Sequence, residues 1–108
     1  MITSLYTVLM SEDVHQSAQF FIDFFQFQET FRSDWYISLK NVESGFELAF
    51  IDSKHGTVPQ AYQSKASGLI INIEVDMWIV FMKNCVSKKK WSSFFPLRVK
   101  ILVSAISL

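Results

Sequence analysis

The chain has 108 residues, half of them apolar and eleven of them Phe, which predicts one folded domain and argues against a disordered chain. Its net charge of zero hides an asymmetry: residues 1–76 hold ten acids and four bases, whereas residues 77–108 hold six bases and no acid. A lone cysteine, Cys85, excludes an intrachain disulfide and favours the cytoplasm, and no apolar run reaches the roughly 18 residues of a membrane span.

The chain opens with a predicted strand, "ITSLYTVLM", which is β-branched and apolar, and continues into a predicted helix. Asp13 is the expected N-cap, with Gln16 three residues later as in a capping box. The helix is expected to end near Gln26. Its apolar face is formed by Val14, Ala18, Phe21, Ile22 and Phe25.

Three further strands are predicted in "FQETFRS", "WYISLKN" and "FELAFID", with "NVESG" as the turn between the last two. Side chains alternate between the two faces of a strand, so one face should cover the helix and the other should not. The first face carries Trp35, Ile37, Leu39, Phe46, Leu48 and Phe50, and the second carries Tyr36, Ser38, Lys40, Glu47, Ala49 and Ile51. A polar linker, "SKHGTVPQAYQSKASG", then leads to another strand, "LIINIEVD".

This β-α-β-β-β, linker, β order resembles the vicinal oxygen chelate superfamily of glyoxalases, bleomycin-resistance proteins and extradiol dioxygenases. The resemblance is carried by "YTVLMSEDVHQSAQFFIDFFQF", "DWYISLKN", "GFELAFID" and "SGLIINIEVD", and covers residues 2–76. It implies an α+β fold with a βαβββ module of the glyoxalase/bleomycin-resistance type and an incomplete second module. In that family two modules curl into a cup that holds a small ligand, often with a metal.

The resemblance places metal-ligand positions at Tyr6, Glu47 and Ile70, of which only Glu47 has metal-binding chemistry. One carboxylate is too few for a zinc, nickel or iron site, so neither a metal nor another cofactor is expected. Glu47 is also the best candidate for an acid or base, while His15 and His55 are interpreted as solvated surface residues. The ligand is expected on the sheet face opposite the helix, unless that face is simply solvated. Its predicted lining is Tyr6, Val8, Tyr36, Ser38, Glu47, Ala49, Ile70 and Asn72.

After Asp76 the family would continue into a second helix, but this chain reads "MWIVFMKNCVS". If the coding sequence of this segment is read one base earlier, with G as the added base, its codons permit the sequence DVDRIYEKLRK. That sequence is an acidic start to an amphipathic helix. Several of these residues are forced, because Met and Trp have single codons. Residues 1–76 are therefore predicted to be the glyoxalase-like module plus the first strand of a second module. Residues 77–108 are predicted to be an atypical basic and apolar tail that looks frameshifted, although "VKILVSAISL" has good strand propensity.

The predicted function is small-molecule binding by a cytoplasmic, metal-free protein that is truncated or inactive as an enzyme. A homodimer could rebuild the cup between two chains. One alternative is a metal-dependent lyase or dioxygenase of the same superfamily. Another is a basic and aromatic tail that binds anionic membrane or nucleic acid. The tail shows no sustained helical pattern and Pro96 interrupts any long helix, so neither a membrane nor a nucleic-acid partner is expected.

Overall fold

The structure, a computed structural model, describes residues 1–75, the backbone of residues 98–105 and the side chain of Ile101. These ranges contain one α-helix, six strands and a short 3-10 helix at Gln60–Tyr62. No helix in them has the length and hydropathy that a bilayer span requires. The elements are β1 (Thr7–Ser11), α1 (Val14–Phe25), β2 (Gln28–Arg32), β3 (Tyr36–Lys40), β4 (Glu47–Asp52), β5 (Ser67–Val75) and β6 (Arg98–Ala105).

Helix α1 begins and ends at the residues that the sequence predicts. Asp13 is extended, and its carboxylate accepts a hydrogen bond from the Gln16 backbone N–H at 3.1 Å. The expected capping box is only half formed, because the Asp13 N–H donates to the Ser11 hydroxyl at 3.0 Å. At the other end, Gln26 is left-handed with φ 57°, and its N–H donates to the Phe21 carbonyl.

The first four strands form one mixed sheet in the order β1-β4-β3-β2. β1 runs parallel to β4, and the other neighbours are antiparallel. With α1 between β1 and β2, this is the predicted α+β arrangement of one βαβββ module. The prediction that β1 starts near Ile2 is wrong. The strand starts at Thr7, which pairs with Leu48, the second residue of β4, so earlier residues have almost no ladder left to join.

Strands β5 and β6 form a second, two-stranded sheet with parallel pairing. β1 and β4 of the first sheet are paired in the same parallel way. β6 coincides with the segment whose sequence has good strand propensity. A hydrogen bond of 2.8 Å from the Ala66 N–H to the Met10 carbonyl connects the linker to β1. The predictions for residues 76–97 and 106–108, including much of the frameshift hypothesis, lie outside the described residues.

The core lies between α1 and one face of the first sheet. The buried helical residues Phe20, Phe21 and Phe25 pack with Ile37 and Phe50 of the sheet. Ile101 of β6 is only 4% exposed and joins the same cluster, so the second sheet packs on it too. Residues of β5 that pack partly buried against this core are Ile71, Ile73 and Val75.

Two residues assigned to the helix-covering face do not enter the core. Phe46 is 73% exposed, because it precedes β4 and follows Gly45, whose φ of 79° turns the chain. Trp35 precedes β3 and stacks on His55, with ring centroids 3.7 Å apart and planes 7° from parallel. His55 is therefore half-buried rather than a freely solvated surface residue.

Candidate functional site

The pairing of β1, β4 and β3 determines which side chains face away from the helix. Leu9 and Ile37 both pair with Phe50, and all three are buried in the core. Neighbouring residues along a strand point to the opposite face. The other face of the sheet is therefore shared by the residues next to these three, which are Val8, Ser38 and Ala49. We call this face, opposite α1, the open face.

Three rows of side chains cross the open face, as the strand pairing requires. The first contains Gln28, Lys40 and Glu47, and we call it the polar row. The second, the middle row, contains Phe31, Ser38, Ala49 and Val8. The third contains Tyr36, Ile51 and Met10. Polarity therefore decreases from one end of the open face to the other.

Glu47 is the carboxylate of the polar row, at the first position of β4. It is half-buried and accepts a hydrogen bond of 2.5 Å from the Ser4 hydroxyl. The segment before β1 also brings polar side chains to this face, because Ser4 contacts Glu47 and Tyr6 contacts Tyr36. Lys40 is directly opposite Glu47 in the antiparallel pairing of β3 and β4.

Tyr6 and Tyr36 connect strands that are not neighbours, because β4 lies between β1 and β3. Their side chains are hydrogen bonded, and burial together with this bond raises the pKa of Tyr36 to about 12. Tyr6 lies two residues before Val8, on the side of the middle row that faces Glu47, and Tyr36 lies on the opposite side, in the third row. The hydrogen bond between them therefore crosses the middle row. Beneath it, Ala49 is 0% exposed although its side chain does not point into the helical core.

The remaining part of the open face is aromatic and hydroxyl-bearing. Phe31 is 55% exposed and its ring centroid is 6.0 Å from that of Tyr36. The hydroxyls of Thr30 and Ser38 are hydrogen bonded at 2.6 Å. An apolar surface with a few hydroxyl groups and one carboxylate is typical of small-molecule sites.

Six of the eight predicted lining residues share the open face: Tyr6, Val8, Tyr36, Ser38, Glu47 and Ala49. Ile70 and Asn72 lie elsewhere, on the exposed face of β5 in the second sheet, and Ile70 is 68% exposed. Neither is paired with a strand of the first sheet.

Sequence reasoning missed five residues of the three rows, which are Gln28, Phe31, Lys40, Ile51 and Met10. Lys40 was assigned to the correct sheet face but not to the site, and Gln28 pairs with it. Phe31 was hidden by a bulge between Glu29 and Phe31, which shifts the alternation of β2 by one residue. Alternation along β1, β3 and β4 could have signalled Met10, Lys40 and Ile51, whereas Gln28 and Phe31 depend on how β2 pairs with β3.

The described residues bring no three His, Cys, Asp or Glu side chains together. Of the metal-ligand positions that the resemblance implies, Tyr6 is hydrogen bonded to Tyr36, and Ile70 has no donor atom in its side chain. Glu47 could supply one oxygen ligand, which is fewer than a zinc or iron site needs. Cys85 lies outside the described residues.

Comparison with known proteins gives similarity at the level of structure. No protein-family model matches the chain, and no curated protein matches it. A bleomycin-binding protein from Streptomyces verticillus, solved with copper(II)-bleomycin, has a TM-score of 0.58 at 14% identity, covering 99% of this chain and 100% of that one. A lactoylglutathione lyase from Agrobacterium tumefaciens has a TM-score of 0.59 at 13% identity, covering 82% and 72%.

A third similar structure is a bleomycin resistance determinant encoded on the transposon Tn5, with a TM-score of 0.52 at 20% identity. The match covers 82% of this chain but 66% of that one, just under two thirds of its length. Identities this low establish a shared fold and leave open what this chain binds.

Proposed function

The chain has the fold of the vicinal oxygen chelate superfamily, and we propose that it uses the open face to bind and sequester a small molecule without a metal. The observation that carries the proposal is the composition of that face. Aromatic rings, hydroxyl groups and one half-buried carboxylate converge on three neighbouring strands. The similar bleomycin-binding protein was solved with a small molecule bound, which supports the same use here.

Sequestration is favoured over catalysis because the open face offers few reactive groups. Glu47 is the candidate acid or base, and the Tyr36 phenol stays protonated at neutral pH, so it can donate a hydrogen bond but cannot act as a base. We therefore expect little or no turnover from this polypeptide.

The test is calorimetric titration of the full chain with a panel of small aromatic compounds that includes bleomycin. We expect saturable binding, unchanged by a chelator and without product formation. Val8→Trp would fill the middle row and abolish binding, whereas Val42→Trp, an exposed position after β3, would retain it. Binding that needs an added divalent metal, or turnover with one, would instead support the lyase or dioxygenase alternative.

We propose further that residues 77–108 are translated out of step with an ancestral reading frame. The forced codons after Asp76 support this proposal, as does the complete loss of acidic residues beyond that point. Sequencing the DNA from codon 74 to beyond the stop codon would test it. Codons that cannot encode DVDRIYEKL in the offset frame would rule it out.

A cytoplasmic homodimer is the assembly we propose for this binding protein. Large apolar side chains of β5 are exposed in the single chain, namely Leu69 and Ile70, and association would cover them. Light scattering after size-exclusion chromatography should give twice the chain mass. A monomeric mass would contradict the proposal, and salt-dependent binding of anionic vesicles would instead favour the membrane-binding tail.

A further inference from the structure

The two ends of the open face differ in chemistry. We propose that its ligand is a small aromatic zwitterion, with an ammonium and a carboxylate at one end and a ring at the other. This inference rests on the proposed function, since it names the class of molecule that the open face would bind.

The charged end of such a ligand fits the polar row. Lys40 and Glu47 are cross-strand partners with opposite charges, so they can face a carboxylate and an ammonium side by side. Among the residues that the structure describes, the ion pair is formed by Glu29 and Arg32, and Lys40 takes part in none. Glu47 accepts from the neutral Ser4 hydroxyl, which an ammonium would replace with a stronger, charge-assisted hydrogen bond.

The ring fits the middle row and its border with the third row. Val8 and Phe31 are 40% and 55% exposed, so both offer apolar surface to a ligand. The rings of Phe31 and Tyr36 are tilted against each other, and a ligand ring could pack beside them as a third ring. Residues two apart along a strand are separated by about 7 Å. A ring on the middle row would therefore lie about 7 Å from a head group on the polar row, a distance that one short side chain of the ligand can span.

Single-charge ligands satisfy this surface less well. An aromatic cation would pair with Glu47 but would place its positive charge next to Lys40. An aromatic anion would pair with Lys40 and be repelled by Glu47. Only a ligand with both charges matches both members of the cross-strand pair, so specificity for the zwitterion should come from repulsion as well as attraction.

The experiment compares four probes that share a 2-phenylethyl group by calorimetric titration of the full chain: L-phenylalanine, phenethylamine, 3-phenylpropionate and N-acetyl-L-phenylalanine amide. We expect L-phenylalanine to bind at least about tenfold more tightly than either single-charge probe, since each loses one charge-assisted contact. The neutral amide should bind most weakly. Equal affinities, a preference for a single-charge probe, or no binding of L-phenylalanine would overturn the inference.

Two variants assign each charge to its residue. Glu47→Gln should weaken the binding of L-phenylalanine by about tenfold, and the binding of 3-phenylpropionate should stay unchanged or become tighter. Lys40→Met should weaken the binding of L-phenylalanine to a similar extent, and the binding of phenethylamine should stay unchanged or become tighter. The matched controls are Glu29→Gln, on the opposite face of the same sheet, and Lys65→Met in the exposed linker. If a control weakens binding as much as its partner, the effect is one of net charge and the inference is wrong.

The outcomes separate this inference from the proposed function. If panel compounds bind and Val8→Trp abolishes their binding, but the four probes show no preference for the zwitterion, the open face is the site and the ligand class is wrong. If no panel compound binds, both proposals fail. The probe comparison uses the unmodified chain, so a variant that fails to fold does not affect it.

Discussion

At the scale of single residues, hydrogen bonds to side chains determine where the local structure begins. Asp13 caps α1 by accepting from the Gln16 N–H, and the sequence predicts this cap because a short acceptor directly precedes an apolar helical pattern. The reciprocal bond that the capping-box pattern predicts from the Gln16 side chain does not form. The hydroxyl that replaces it belongs to Ser11, the last residue of β1, which lies only two residues before the cap and makes a local contact.

The cap gives a quantitative prediction. Asp13→Ala should lower the free energy of unfolding by about 1 kcal/mol, because the first turn of α1 loses its side-chain acceptor. Glu12→Ala removes the same charge at the preceding exposed position and should cost much less. Urea titration followed by circular dichroism would measure both, and equal losses would contradict the assigned cap.

Tyr36 gives a prediction of pH dependence. Burial, followed by the hydrogen bond to Tyr6, raises the pKa of Tyr36 from 10.0 to about 12. The folded state thus holds the phenol proton more tightly than the unfolded state does. The resulting stabilisation is complete below pH 10 and is lost as the pH rises from 10 to about 12.

Urea unfolding across this pH range should show stability falling steeply in the native chain and less steeply in Tyr36→Phe. Tyr62→Phe alters an exposed tyrosine of the linker and should leave the slope unchanged. If Tyr36→Phe shows the native slope, neither burial nor the hydrogen bond to Tyr6 raises the pKa of Tyr36 in solution.

At the scale of elements, the sequence predicts faces better than boundaries. Alternation assigned Ile37, Leu39 and Phe50 to the buried face of the sheet, and all three are buried. It failed for Phe46, because alternation has no meaning before a strand begins. It could not locate Phe31, because a bulge depends on how β2 meets β3 and not on β2 alone.

The end of α1 offers a stabilising substitution. Gln26 has φ 57°, a left-handed conformation that costs energy in residues with a Cβ atom and little in glycine. Gln26→Gly should therefore raise the free energy of unfolding by about 0.5–1 kcal/mol. Gln19→Gly places the same substitution inside the helix and should lower it by about 1 kcal/mol. A destabilised Gln26→Gly would show that the helix does not end in this way.

At the scale of the whole molecule, two sheets share one core. Local patterns predicted a βαβββ module and an additional strand, and both are present. They could not predict that β6 pairs in parallel with β5, because such pairing joins segments far apart in the chain. The hydrogen bond between Tyr6 and Tyr36 was equally inaccessible, since it crosses an intervening strand.

Ile101 tests whether the second sheet is part of the cooperative unit. Ile101→Ala should lower the free energy of unfolding by about 2–5 kcal/mol, because it leaves a cavity beside the phenylalanines of α1. Ile70→Ala, the same substitution at an exposed position of the paired strand, should cost much less. Thermal unfolding would compare them, and an unaffected Ile101→Ala would mean that β6 does not contribute to the core.

The place of Ile101 in that core also matters while the protein is being made. Residues 1–75 are synthesised before Ile101, so the first sheet and α1 can form while an apolar patch of their core is still uncovered. Parallel pairing of β6 can close it only after a long intervening segment has emerged. During that interval the chain is most exposed to self-association and most dependent on chaperones. Deleting β6 should therefore lower the soluble yield, because the apolar patch then stays uncovered.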